Sequence, residues 1–251
     1  MSNEATFSIK PLCTGWVTLD KSKFVWGTGY GEKVDAPVIM WYLESRETRV
    51  MVDTGASDPD WAARYHYAMR RAPEEDPVRA LGRIGVSPDD IDVVILTHLH
   101  WDHCYNNHLF KRARFFVQRE ELRYAIAPHP IHAKAYEAPT IGMTPPYINT
   151  KFEVLDGDAR IADGLSVVFT PGHTPGMQGV SVSTSAGLYF IAGDSVALYE
   201  NWEGNQFMKH IPGIDFVNLD DYFETLDLIE GIADFVLPGH DAKVLEKERY
   251  P

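Results

Sequence analysis

Cysteine is scarce in this chain of 251 residues. Cys13 and Cys104 are the only two, too few for a disulfide framework and in keeping with a reducing compartment. Basic residues are outnumbered, 23 Lys and Arg against 36 Asp and Glu, for a net charge of −13. A field of that sign repels phosphate backbones and anionic lipid headgroups, which argues against nucleic-acid and membrane partners. It does not oppose cations, the natural partners of carboxylates and imidazoles. Long apolar runs are missing as well. Stretches such as residues 93–96 fall far short of the roughly 20 residues a membrane-spanning helix needs. The opening MSNEATFSIK lacks the basic-then-apolar order of a secretory signal. Repeats and low-complexity segments are absent, and no linker divides the sequence. The expectation is a cytoplasmic protein folded as one domain over residues 1–251.

What is present is a series of strand-length apolar runs, at 37–43, 49–52, 91–96, 114–117, 165–169, 177–182, 188–192 and 234–237. Most are rich in Val, Ile, Phe or Tyr and bounded by Gly, Pro or Asp. Two helices are expected between them. One covers 58–69, with Pro59 in its first turn. The other covers 218–230, with Asn218 as cap, a stripe of Leu219, Tyr222, Phe223, Leu226 and Ile229, and Gly231 as stop. Strands interspersed with helices point to an α/β or α+β layered fold. Two stretches read as long loops. Residues 20–37 carry Phe24, Trp26 and Tyr30 among glycines, and residues 127–147 carry five prolines with His129 and His132. Loops of this length are often lids over a site, though surface loops with anchoring aromatics have the same composition.

Directly after the run at 91–96 stand His98, His100, Asp102 and His103, four potential metal ligands within six residues of a protein with 10 histidines. Neutral imidazole with carboxylate suits zinc, iron or manganese. His98 and His100 are two apart and project to the same side of an extended chain. Asp102 and His103 lie past a turn and can address a second position. Three further potential ligands follow strand-like runs: His173 after Pro171-Gly172, Asp194 after Gly193, and His240 after Pro238-Gly239. Each is preceded by glycine, which allows tight turns and close backbone approach. Pro-Gly-His alone is a weak turn motif, but four strands that each end in a ligand describe one site gathered across a sheet. A structural zinc needs only one closed set of four, so seven ligands argue against a merely structural ion.

The pattern His98-x-His100-x-Asp102-His103, then His173, Asp194 and His240, resembles the dinuclear signature of the metallo-β-lactamase superfamily, and it extends over nearly the whole chain. Val52-Asp53-Thr54-Gly55 also matches that superfamily's early strand-end turn. The resemblance implies a four-layer αββα sandwich with two divalent metal ions, zinc foremost and iron, cobalt or manganese as alternatives. It implies that His98, His100 and His173 hold one metal, that Asp102, His103 and His240 hold the other, and that Asp194 bridges them. It also implies that Asp53 orients a ligand histidine; an ordinary Asx-turn would use the same residue.

Within the superfamily, β-lactamases proper carry Cys or Ser where Asp194 stands, and flavodiiron proteins carry Glu where His100 stands. Glyoxalase II enzymes extend well past the last ligand, and RNA-processing members add an inserted domain or basic arm. The sequence is most similar to the N-acyl homoserine lactonases and 4-pyridoxolactonase-like enzymes, the quorum-quenching branch, with Glu200-Asn201 and Gly239-His240-Asp241 in register. That implies opening of a lactone ring by metal-bound hydroxide, with metals about 3.5–4 Å apart. Asp102 and Asp194 are the carboxylates at the reaction. The same site serves other esters, phosphoesters or cyclic amides. Related lactonases are often dimers, so a homodimer acting on a small molecule is expected. One departure stands out: the tyrosine those enzymes place three residues after the bridging aspartate is Ala197 here. Tyr199 is the nearest phenol in sequence and the candidate hydrogen-bond donor. Phe24, Trp26, Tyr30 and Met143 are candidates for an apolar substrate wall. His66, His108, His129, His132 and His210 have no ligand spacing and are assigned to surface or packing, and Cys104 to a small buried position.

Overall fold

Residues 37–43 are apolar on both faces, and the chain uses both. A computed structural model, which describes residues 6–251, places them in a strand with Ile39, Trp41 and Leu43 in one core and Met40 and Tyr42 in another. Side chains alternate across a strand, so a continuous apolar run marks one covered on both sides.

The first sheet contains β1 (Ser8–Asp20), β2 (Lys33–Glu44), β3 (Arg49–Val52), β4 (Met69–Arg70), β5 (Val93–Ile95), β6 (Arg114–Gln118) and β7 (Phe152–Leu155), in the order β4-β1-β2-β3-β5-β6-β7. The first four pair antiparallel, while β3, β5, β6 and β7 run parallel. The second sheet has β8 (Ala159–Ala162), β9 (Leu165–Phe169), β10 (Gln178–Thr184), β11 (Gly187–Gly193) and β12 (Phe235–Pro238), in the order β12-β11-β10-β9-β8 with β11 and β12 parallel. The facing sides of the two sheets share one core, in which Trp41, Val52 and Ile95 meet Val167, Val180 and Ile191.

Helices cover the outer faces: α1 (Pro59–Tyr65), α2 (Pro77–Arg83), the single turn α3 (Trp101–Cys104), α4 (Arg119–Ile126), α5 (Tyr199–Glu203) and α6 (Leu219–Ile232). Ala80, Leu81 and Ala125 pack with Met40 and Val117 on the first sheet, and Tyr222, Leu226 and Ile229 of α6 pack on Phe190 and Val236 of the second. This is the αββα sandwich. Asn218 caps α6 by accepting from the Asp220 and Asp221 amides, and those two acids sit at its positive end. Among the described residues no helix is long and apolar enough to cross a membrane.

Three expectations need correction. Gly231, expected to stop the helix over 218–230, lies inside α6, which runs on to Ile232; β1, the longest strand, has no counterpart among the expected runs, and in it Pro11 pairs in register with Trp41 while a register shift between Cys13 and Trp16 takes up Gly15. Residues 33–37, expected in a loop, open β2. Helix α1 stops at Tyr65 instead of running to 69, because His66 leaves helical geometry and the chain beyond it joins the sheet: the Thr18 amide donates to the Ala68 carbonyl at 3.0 Å, and Val17 and Trp16 pair with β4.

Candidate metal centre

All seven predicted ligands converge at one edge of the sandwich. The chain beyond β5 delivers His98 and His100, α3 carries Asp102 and His103, and the chain beyond β9, β11 and β12 delivers His173, Asp194 and His240. Their donor atoms form two groups, each within 4.8 Å: His98, His100, His173 and Asp194, and Asp102, His103 and His240. Asp194 faces both. Its Oδ2 lies 3.4 Å from His173 Nε2 and 3.9 Å from His98 Nε2, while its Oδ1 lies 3.1 Å from His240 Nε2 and 3.3 Å from His103 Nε2. Asp102 Oδ2 is 3.9 Å from both His103 and His240 Nε2.

The donor set fits two cations. Nε2 of His98, His100 and His103 and Oδ1 of Asp194 are buried without a hydrogen-bond partner. Buried polar atoms left unpaired are costly and rare. Donors 2.0–2.1 Å from a tetrahedral zinc lie roughly 3.3 Å apart, which is the spacing around Asp194. Burial holds His98 and His100 well below the ordinary imidazole pKa, and the neighbouring imidazoles add to it, so both are neutral and able to donate a lone pair. Burial, the largest single influence, would lower His103 and His240 as well, but the surrounding carboxylates together outweigh it and hold both above their usual value: Asp194 and Asp102 for both, with Asp53 added for His103.

The inward direction of Nε2 is set from behind. His173 Nδ1–H donates to the Asp215 carbonyl at 2.7 Å, His240 Nδ1–H to the Pro37 carbonyl at 2.9 Å, and His103 Nδ1 meets Asp53 Oδ2 at 2.8 Å. Such contacts fix tautomer and ring orientation. Asp53 is therefore no mere turn residue. Its backbone is left-handed at φ 61°, and its carboxylate also accepts from the Thr97 amide at 2.7 Å. A strained backbone is retained where the surroundings determine it. The Asp194 carbonyl accepts from Tyr222 of α6 at 2.9 Å. Gly172 (φ +137°) lies so close to α6 that a Cβ would come within 2.4 Å of Tyr222 Cα.

Several residues outside the ligand pattern complete the site. The buried Glu121 accepts from the Leu99 amide at 2.9 Å, the Tyr136 hydroxyl at 2.9 Å and the Thr174 hydroxyl at 2.6 Å. It ties the segment of His98 and His100 and the segment of His173 to the proline-rich stretch, and the Tyr136 ring packs edge-on against His100 at 4.7 Å. Glu137, with a left-handed φ of 47°, is also buried. Its Oε1 accepts from Trp61 Nε1 at 2.6 Å and pairs with His66 Nε2 at 2.8 Å, and the His66 ring stacks on Trp101 at 4.2 Å. The sequence signal for Glu121 is a charged residue one helical turn from Ala125 on the buried face of α4. Glu137 and His66, 71 residues apart, have no comparable signal.

A cavity of about 210 Å³ opens onto His100, Asp102, His173, Asp194 and His240. Its walls include Val17, Leu19, Phe24, Trp101, Ile131 and Ala197. Phe24 is thus where it was expected, but Trp26, Tyr30 and Met143 are not in the lining, and Tyr30 is 77% exposed. His66 and His132, expected at the surface or in packing, do line the cavity, while Cys104 is buried as expected. Tyr199 is outside it. That ring packs with the core between the sheets and lies under Lys243 Nζ at 5.5 Å, and its amide donates to Asp241 at 2.8 Å.

Residues 35–240 match the metallo-beta-lactamase superfamily, and the chain belongs to it. It is a hydrolase of the αββα fold. Within that superfamily it is similar to the N-acyl homoserine lactonase of Bacillus thuringiensis, 30% identical over 185 residues that make up 69% of each chain. Among solved structures, an N-acyl homoserine lactone hydrolase with the product N-hexanoyl-L-homoserine at its catalytic metal centre superposes with a TM-score of 0.78 at 21% identity, covering 96% of this chain and 95% of the other. A dizinc quorum-quenching lactonase superposes with a TM-score of 0.71 at 17% identity, covering 96% and 89%.

Proposed function

We propose that this protein is a dinuclear-metal-dependent lactonase, a single-domain enzyme that opens the ring of an N-acyl homoserine lactone or a related lactone. The observation that carries the reading is the placement of Asp194, with one carboxylate oxygen toward each group of ligands. His98, His100 and His173 would hold one ion and Asp102, His103 and His240 the other, with Asp194 shared. Zinc is the ion this donor set suits best, and the dizinc lactonase of the same fold supports it. When bound, the ions supply Lewis acidity toward an ester oxygen and a lowered water pKa.

The chain's own groups supply the rest. Asp194 faces both ligand groups with its two oxygens and is committed to holding the centre. Asp102 lines the cavity, with its Oδ2 3.9 Å from both His103 and His240 Nε2, and its carboxylate is assigned to take a proton from water and return it to the leaving alkoxide. Val17, Leu19, Phe24 and Ile131 form the apolar wall for the rest of the substrate. A second reading, hydrolysis of a phosphoester, draws support from Lys23 and Lys134 in the same lining. One experiment tests both. Protein replete in zinc is assayed against N-acyl homoserine lactones, aromatic lactones, a phosphotriester and a cephalosporin, with proton release and metal content measured together. Two ions per chain with lactones fastest is the expected result; a phosphotriester turned over far faster than every lactone overturns it.

A further inference from the structure

Ring opening places negative charge first on the carbonyl oxygen and then on the leaving alkoxide, and a fixed neutral donor near either oxygen stabilises that charge. Among the described residues that line the cavity, one carries a hydroxyl: Tyr67. Its phenol makes no hydrogen bond with any described residue and lies in the field of Asp215 and Asp102. Burial, reinforced by those two carboxylates, pushes it up to about 12, so it keeps its proton at neutral pH and is a donor there.

The backbone on each side of Tyr67 is pinned. His66 before it is held through Nε2 by the buried Glu137 at 2.8 Å and stacked on Trp101, the residue preceding Asp102. Ala68 after it accepts from the Thr18 amide at 3.0 Å, and Met69 pairs with Val17. Tyr67 packs against the cluster that contains Val17, Leu19, Trp101 and Ala197, and it and Ala197 both line the cavity. A donor anchored in this way costs little reorganisation when charge develops.

We propose that the Tyr67 hydroxyl is the hydrogen-bond donor to the substrate's carbonyl or leaving oxygen, with Glu137 and His66 as the residues that position it; the assignment rests on the lactonase reading. The test compares wild type with Tyr67→Phe in two assays. One is kcat and KM for N-hexanoyl homoserine lactone. The other is the calorimetric Kd of the matching γ-lactam, in which NH replaces the ring oxygen. Loss of a donor of this kind costs roughly 10²-fold in rate, so kcat/KM is expected to fall at least about tenfold, with KM rising by about the several-fold factor by which binding of the lactam, through its retained carbonyl, weakens. Because the hydroxyl has no intramolecular partner, the melting temperature stays constant. If lactones are opened and Tyr67→Phe equals wild type within twofold in both assays, the assignment is overturned. If wild type opens no lactone yet binds the lactam several-fold more tightly than Tyr67→Phe, the lactonase reading falls and the donor stands; if it neither opens lactones nor distinguishes the lactam, both fall. Glu137→Gln tests the positioning role. Its kcat/KM loss should vanish in the Tyr67→Phe background, whereas full additivity of the two losses overturns the claim that Glu137 acts through Tyr67.

Discussion

The two sides of the cavity are built on different terms. On the ligand side, side chains stand at strand ends, and His103, His173 and His240 each meet a fixed oxygen through the outer nitrogen. On the wall side, Lys23, Ile131, His132 and Lys134 come from irregular segments, and Ile131 is 74% exposed. The difference teaches where the two demands of a hydrolase are met. Metal donors tolerate little error in position, and the seven candidates stand just past the ends of rigid strands or on the single turn α3. A substrate wall needs shape more than precision and can be supplied by loops. Tyr67 and Ile131 show that the division is not absolute, since one wall residue is clamped and the other is not.

The largest expected effect breaks the ligand side at its centre. Asp194→Ala removes the oxygens that face both ligand groups. Metal content should fall from two ions per chain to one or none, and kcat by more than the 10–100-fold typical of losing an outer contact. Elemental analysis and lactone kinetics on the same preparation check both. If two ions remain, Asp194 is not shared between them. Next comes Glu121→Ala, which joins the two sides by contrast. It strands the Leu99 amide and the Tyr136 and Thr174 hydroxyls, at about 1–3 kcal/mol for each buried donor. The melting temperature of metal-replete protein should fall by at least about 6 °C. A smaller drop would mean that water reaches these groups.

Asp53→Asn is the finer probe. Asparagine tolerates the left-handed backbone of residue 53 and can still accept from Thr97, so the change is confined to the charge opposite His103. Metal affinity should weaken 10–100-fold in a competitive chelator titration. Unchanged affinity would show that geometry, and not charge, is what Asp53 contributes.

The same contrast decides how much was legible in the sequence. The convergence of the seven candidate ligands was, because each is a chemically unusual side chain placed soon after an apolar run, and the runs themselves located most of both sheets. Asp53 was half legible, since a strand-end aspartate is also a common turn residue, and only its 2.8 Å contact with His103 separates the two. β1 was not, because Pro11 and Gly15 break its pattern while a bulge preserves its pairing. Glu121, Glu137 and Tyr67 were not legible either. Their roles depend on partners far along the chain and on a left-handed residue at 137, none of which leaves a local spacing. The wall guesses failed for the same reason: aromatic content marks a loop as anchored without saying which face its rings turn toward, and Trp26 is 52% exposed.

The smallest expected effect sharpens the distinction between closeness in sequence and closeness in space. Tyr199 stands two residues after Ala197 and was the nearest phenol to that position by count. The chain from Asp194 to Tyr199 reverses direction instead of running along the cavity: the Ser195 and Val196 amides bond back to Ala192 and Gly193, and Asn201 caps the start of α5 by accepting from the Leu198 amide at 2.8 Å. Those bonds leave Ala197 in the cavity wall and put Tyr199 beneath Lys243, against the core between the sheets. Its phenol is also pushed up to about 12, but by burial and by Asp241 and its neighbours and not by a ligand carboxylate. Tyr199→Phe keeps the ring and its packing and removes only that hydroxyl, so kcat for a lactone should stay within a factor of two of wild type. A tenfold loss would place the donor on α5 and require the segment from Ala197 to Tyr199 to rearrange when substrate binds.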